Sequence, residues 1–96
     1  MEIEKQKRVD ELIKKVCDHY SVTLEDLEGS SRKESPRDAR NLLMYILHKV
    51  LKITCYDVGL IFNRNYSTVL NAAKKISGWI EFDKEYAEFT ANIIND

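Results

Sequence analysis

Ninety-six residues, 44% hydrophobic and 32% charged, with three glycines and one proline, fit a single helical domain spanning residues 1–96 rather than a disordered or β-rich chain. A chain of this length buries one modest core, which all of its helices must share. No run of about 18 apolar residues occurs, so no membrane span is expected, and the opening MEIEKQKRVDE lacks a signal-peptide core, so a cytoplasmic location is expected.

The net charge of −1 argues at face value against a polyanionic partner, but its distribution does not. Residues 30–75 hold nine basic groups against three acidic ones (+6), residues 1–29 five against eight (−3), and residues 76–96 one against five (−4). The local patch, not the total, governs attraction to phosphate.

In chain order, Val9, Leu12, Ile13, Val16, Cys17 and Tyr20 recur at helical spacing and predict a first helix over about residues 4–20 with one buried stripe. Thr23 with Asp26 three residues on resembles a capping box opening one short turn, residues 24–28. Residues 29–35, GSSRKES, are the loop with turn composition and also carry basic groups. Ser35-Pro36 reads as a cap followed by proline at the first helical position. Ala39, Leu42, Leu43, Ile46, Leu47 and Val50 then give the strongest apolar stripe, on a helix of about 36–52.

Residues 54–76, TCYDVGLIFNRNYSTVLNAAKKI, are the most informative segment. Thr54 with Asp57 caps a short apolar helix that breaks at Asn63-Arg64-Asn65. A longer helix then restarts with Tyr66-Ser67-Thr68 as a polar first turn and Val69, Ala72, Ala73 and Ile76 as its apolar stripe. Two helices joined by a tight polar break are the pattern of a helix-turn-helix, whose second helix meets base edges with its first turn. Tyr86, Phe89 and Ile93 mark a last helix beginning near Phe82-Asp83, with Gly78 and Trp79 near the joint. The expected fold is therefore all-α, a bundle of five to six helices containing a helix-turn-helix.

Cys17 and Cys55 are isolated within helical patterns and are expected to be reduced core residues rather than a disulfide or zinc site. His19 and His48 have no nucleophile or ligand set near them in sequence, so an enzyme is not expected, nor any cofactor or metal.

With these helices placed, residues 8–94 resemble the C-terminal DNA-binding domain of the bacterial replication initiator DnaA, a Trp-repressor-like helix-turn-helix fold. Matching segments are Tyr20 with VTLEDL, Ser31-Arg32-Lys33, Ala39-Arg40, Met44-Tyr45, Asp57-Val58-Gly59 and Phe62. Most specific is Arg64 through Thr68-Val69-Leu70 with Lys74-Lys75-Ile76, against the family's Gly-Arg-Asp-His-Ser/Thr-Thr-Val-Leu run. The resemblance implies duplex DNA as partner, with Arg32 or Lys33 in the minor groove and Arg64, Asn65, Tyr66, Ser67 and Thr68 at bases and adjoining phosphates. It further implies that Arg40, Lys74 and Lys75 contact the nucleic-acid backbone, and that Cys55 and Tyr56 touch phosphate through the start of the first motif helix. The chemistry suits these roles, since cationic side chains neutralise phosphates, hydroxyls bond bases or phosphates, and a helix N-terminus favours an anion.

The chain also departs from the family. Asn65-Tyr66 stands where Asp-His is usual, the turn before it is one residue shorter, and Pro36 and Asp38 replace positions that are often apolar or basic. Asparagine suits adenine where aspartate accepts from cytosine, so a target other than the usual DnaA box is expected. No GxxxxGK[ST] loop occurs, so neither nucleotide binding nor an ATP-driven motor is expected. The expected function is a sequence-specific DNA-binding regulator or accessory replication factor, with a replication or regulatory protein as a further partner class. The alternative is a protein-interaction domain that kept the fold but lost DNA binding, using its acidic ends and Trp79, Phe82, Tyr86 and Phe89 near the C-terminus.

Overall fold

The architecture is given by a computed structural model that describes residues 3–29 and 34–95. Helices α1 (Ile3–Tyr20), α2 (Leu24–Glu28) and α3 (Glu34–Tyr45) are followed by a single π turn, Ile46–Val50. Helices α4 (Cys55–Phe62), α5 (Tyr66–Phe82) and α6 (Lys84–Asn95) complete the chain, and no strand occurs among the described residues. This is the expected all-α bundle with its helix-turn-helix.

Local chemistry explains most boundaries. Thr23 and Asp26 form the full capping box: Asp26 N–H donates to Thr23 Oγ1 at 3.1 Å and Thr23 N–H to Asp26 Oδ2 at 3.0 Å. Thr54 caps α4, accepting from Asp57 N–H at 3.1 Å. Asp83 separates the last two helices by accepting from Tyr86 N–H at 3.1 Å. Helix α5 runs unbroken through Gly78 and Trp79 to Phe82, and the joint lies at Asp83, the expected start of the last helix. Helix α3 starts at Glu34, two residues before Pro36, which sits in the first turn where a backbone N–H has no intrahelical partner.

The central stripe is buried as expected at Ala39, Leu42, Leu43, Ile46 and Leu47, with Met44 beside them. Val50 is the exception, being 38% exposed. The π turn is the cause: Leu51 N–H reaches back five residues to Ile46 O at 3.1 Å, and Ile53 N–H six residues to Leu47 O at 3.1 Å. Each widened turn rotates the following side chains, so the stripe stops at Leu47 and Val50 swings outward. Lys52 then takes a positive φ of 61° as the chain leaves for α4.

Helix α3 lies chiefly against α5, α4 packs on α5, and α1 covers α3 and reaches α6. The cationic side chains of α1 hold the far end of α6: Arg8 Nη2 donates to Ile94 O and Lys15 Nζ to Ile93 O at 3.4 Å. Helix α6 has no basic residue in its own last turn, so these two supply the positive charge that its terminal carbonyls favour. Tyr20, Phe89, Tyr86 and Trp79 continue the packing as edge-to-face aromatic contacts.

Candidate nucleic-acid interface

Helices α4 and α5 meet at a turn that only certain residues allow. Asn63 ends α4 in the left-handed conformation, φ 56°, which asparagine tolerates better than most residues. Arg64 N–H then donates to Gly59 O at 2.8 Å, bringing the turn back over α4. Asn65 begins α5, its Oδ1 accepting from Ser67 N–H and from Ser67 Oγ, both at 2.9 Å. The asparagine oxygen is thus committed to its own helix as a cap.

Behind that cap, Val69, Ala72, Ala73 and Ile76 are buried and anchor α5, while Tyr66, Ser67 and Thr68 are exposed. Tyr66 is 59% exposed. On α4, Tyr56 is 65% exposed and Leu60, one turn on, is 66% exposed. Leu60 was not singled out from sequence, although its spacing from Tyr56 (i, i+4) off the buried stripe is the available signal. Tyr56, Leu60 and Tyr66 are large apolar or aromatic side chains left facing outward on the two motif helices.

Lys74 and Lys75 are exposed two turns beyond Ser67 and Thr68, about 10 Å along the helix. Lys75 Nζ stands 5.2 Å from the centre of the Trp79 ring, a cation–π contact that directs it toward the far end of α5. Cys55 is half-buried in the first turn of α4, with its Sγ 3.4 Å from His48 Nε2. His48 Nδ1 lies 2.8 Å from Ile53 O, which can only accept, so Nδ1 carries a proton and Nε2 faces the Cys55 sulfur. Cys17 is buried, and burial, then the charges of Asp18 and Asp26, pushes its thiol upward; both cysteines are free.

Two of the expected site residues have their guanidinium groups turned inward. Arg40 is buried in the free chain, with Nη1 donating to Leu27 O at 3.1 Å, rather than standing at the surface. Burial, and then the nearby charge of Arg64, lowers its guanidinium below the ordinary range. Arg64 is half-buried, its Nη1 donating to Glu28 O at 3.1 Å, Phe62 O at 3.0 Å and Asn63 O at 3.2 Å, and its Nη2 to Gly29 O. Arg32 and Lys33, expected in the basic loop, lie outside the described residues. The structure therefore leaves Tyr56 exposed on α4 and Tyr66, Ser67 and Thr68 exposed on α5 with Lys74 further along that helix, and turns Arg40 and Arg64 inward.

This geometry belongs to the helix-turn-helix class: a capped short helix, a tight turn through a left-handed residue, and a longer helix whose first turn is exposed. The chain matches the profile of the bacterial dnaA protein helix-turn-helix over residues 9–76, and it belongs to that family. Among its relatives, the chromosomal replication initiator protein DnaA of Thermus thermophilus is 36% identical over 76 residues, covering 78% of this chain and 17% of the relative. The Bacteroides thetaiotaomicron DnaA is 30% identical over 79 residues, 81% of this chain and 17% of the relative. The protein DnaA 2 of Chlamydia trachomatis is 36% identical over 75 residues, 78% and 16% of the two chains. This chain thus spans about a sixth of the length of these relatives. No helix among the described residues is long and apolar enough to cross a membrane.

Proposed function

We propose that this chain binds double-stranded DNA sequence-specifically, with the first turn of α5 in the major groove. The observation that carries this reading is the exposed Tyr66, Ser67 and Thr68 turn on a 17-residue helix anchored by its buried stripe and held by the Asn65 cap. Ser67 and Thr68 bring hydroxyls to bases or phosphates, and Tyr66 brings an aromatic ring and a phenol. Lys74 and Lys75 neutralise phosphates. At the start of α4, Cys55 and Tyr56 offer backbone N–H groups at a helix N-terminus, where an anion is favoured; the Cys55 sulfur itself lies against His48. Arg32 or Lys33 adds a contact in the adjoining minor groove. In this reading the chain is not itself an enzyme and works in the cytoplasm as a regulator or accessory replication factor, without nucleotide or cofactor.

The test is a gel shift on duplex DNA at rising salt. Phosphate-driven affinity falls linearly on a log–log plot, and removing one phosphate contact lowers the slope by roughly one unit. The Arg32→Ala/Lys33→Ala/Lys74→Ala variant should bind weakly and with a flatter slope. If it binds like the parent, the reading fails.

A second reading rests on a different observation. Gly78, Trp79, Phe82, Asp83 and Tyr86 line an open cleft of about 590 Å³ between α5 and α6, and Phe82 is 85% exposed there. An apolar cleft of this size suits a protein partner, which would be the chain's main ligand if the parent shows no salt-dependent DNA binding.

A further inference from the structure

Helix α2 ends on three consecutive carbonyls that point at two arginines from elsewhere in the chain. Leu27 O accepts from Arg40 Nη1, Glu28 O from Arg64 Nη1, and Gly29 O from Arg64 Nη2. Helix α2 has no basic residue in its own last turn, so these guanidinium groups supply the positive charge that the carbonyl end of a helix favours. Like charges are brought close to do it, close enough for Arg64 to bear on the titration of Arg40. Arg64 also bonds the carbonyls of Phe62 and Asn63 at the end of α4. One planar fork therefore fastens the turn of the motif to a segment 35 and 36 residues earlier, an arrangement that lysine's point charge cannot reproduce.

The backbone of Arg64 is held as firmly as its side chain. Its N–H donates to Gly59 O, and its carbonyl lies against the bare Cα of Gly59. The next residue is Asn65, whose cap sets the start of α5 and hence the direction of Tyr66, Ser67 and Thr68.

We infer that Arg64 is a positioning residue for DNA recognition, clamping the carbonyl end of α2 to the turn before α5, rather than a phosphate contact. This rests on the DNA-binding reading above and assigns Arg64 a different role within it. To reach a phosphate, the guanidinium would have to leave four backbone carbonyls, whereas Lys74 stands exposed with no such tether among the described residues. What Arg64 contributes is the placement of two segments: the recognition helix that follows it, and the end of α2 from which the basic loop departs.

Salt dependence separates the two roles, because a phosphate contact releases counterions and a positioning residue does not. Parent, Arg64→Gln, Arg64→Lys and Lys74→Ala are compared on a random-sequence duplex and on the duplex that the parent selects from a random pool. Lys74→Ala should lower the salt slope by roughly one unit and weaken both duplexes about equally. Arg64→Gln should keep the parental slope yet lower the preference for the selected duplex over the random one by roughly tenfold, the scale of one lost base contact. Arg64→Lys keeps the charge but not the fork, so it should lose preference as the glutamine variant does. It decides the matter alone if glutamine prevents folding. The inference is overturned if Arg64→Gln lowers the slope by one unit and weakens both duplexes alike. It is equally overturned if Arg64→Lys retains the full preference. A parent that binds neither duplex overturns the DNA-binding reading itself.

Discussion

A β-carbon on Gly59 would stand 2.4 Å from the carbonyl oxygen of Arg64, so α4 can approach its own turn only because residue 59 has no side chain. The atom in the way is backbone and cannot swing aside. Alanine in place of glycine within a helix ordinarily gains up to about 1 kcal/mol. Here the clash must move the turn, and overpacking of this kind typically costs about 1–3 kcal/mol, occasionally more. Gly59→Ala should therefore lower the denaturant midpoint of unfolding, and a midpoint equal to the parent's would show that the turn is not held where it is described.

The second expectation concerns the core and its edge. Leu43 and Ile46 are fully buried, so truncating either to alanine should cost on the order of 2–5 kcal/mol. Val50 belongs to the same apolar repeat but is turned outward by the π turn, and Val50→Ala should stay within about 0.5 kcal/mol of the parent. Comparable losses at Ile46 and Val50 in chemical unfolding would mean that α3 continues as a regular helix.

Alkaline stability follows from burial of phenols. Tyr86 is pushed above the ordinary tyrosine value of 10.0, first by burial and then by Tyr20 and Asp38; Tyr20 is raised as well, by burial and Asp38. A raised phenol favours its protonated form in the folded chain, so this contribution is fully present below pH 10.0 and is lost as pH rises through the folded value. Replacing Tyr86 with phenylalanine removes the titration. Between pH 8 and pH 11 the variant should therefore lose less stability than the parent in urea unfolding at each pH; an equal loss would place the phenol in water.

Specificity is the property in which the Asn65-Tyr66 pair would set this chain apart from its family if it binds DNA as proposed. Asn65 Oδ1 already accepts from Ser67 N–H and Oγ, so bidentate reading of adenine would cost the helix its cap. Aspartate caps equally well. On the DNA-binding proposal, Tyr66, exposed in the first turn, is then the residue expected to set more of a difference from the usual DnaA box, each good base contact being worth about 1–3 kcal/mol. Selection from a random duplex pool should return a site other than that box. Tyr66→His should change the selected site more than Asn65→Asp, and the pair together more than either. Recovery of the ordinary box by the parent, or an unchanged site for the double variant, would rule this out.

Much of the molecule was legible in the order of its residues, because much of it is held by local bonds. The Thr23–Asp26 and Thr54–Asp57 caps act over three residues and the Asn65 cap over two. The apolar stripes of α1, α3 and α5 repeat every three or four residues, which is the period of the helix itself. Helix, break and helix at residues 54–76 could therefore be placed directly, and with them the exposed turn at Tyr66, Ser67 and Thr68. The widened turn at Ile46–Val50 was not legible, since nothing in an apolar repeat announces an i→i−5 bond. The pairing of His48 with Cys55 also depended on how that turn leaves the helix. Arg40 and Arg64 show the limit most clearly. In sequence they are basic residues in a basic region, and phosphate is their natural expectation. Only the folded chain brings the carbonyls of Leu27, Glu28 and Gly29 within reach of the two guanidinium groups, which no local pattern announces. Hydrogen-bonding capacity is local to a residue, but the choice among acceptors belongs to whichever is brought near, and tertiary packing makes that choice.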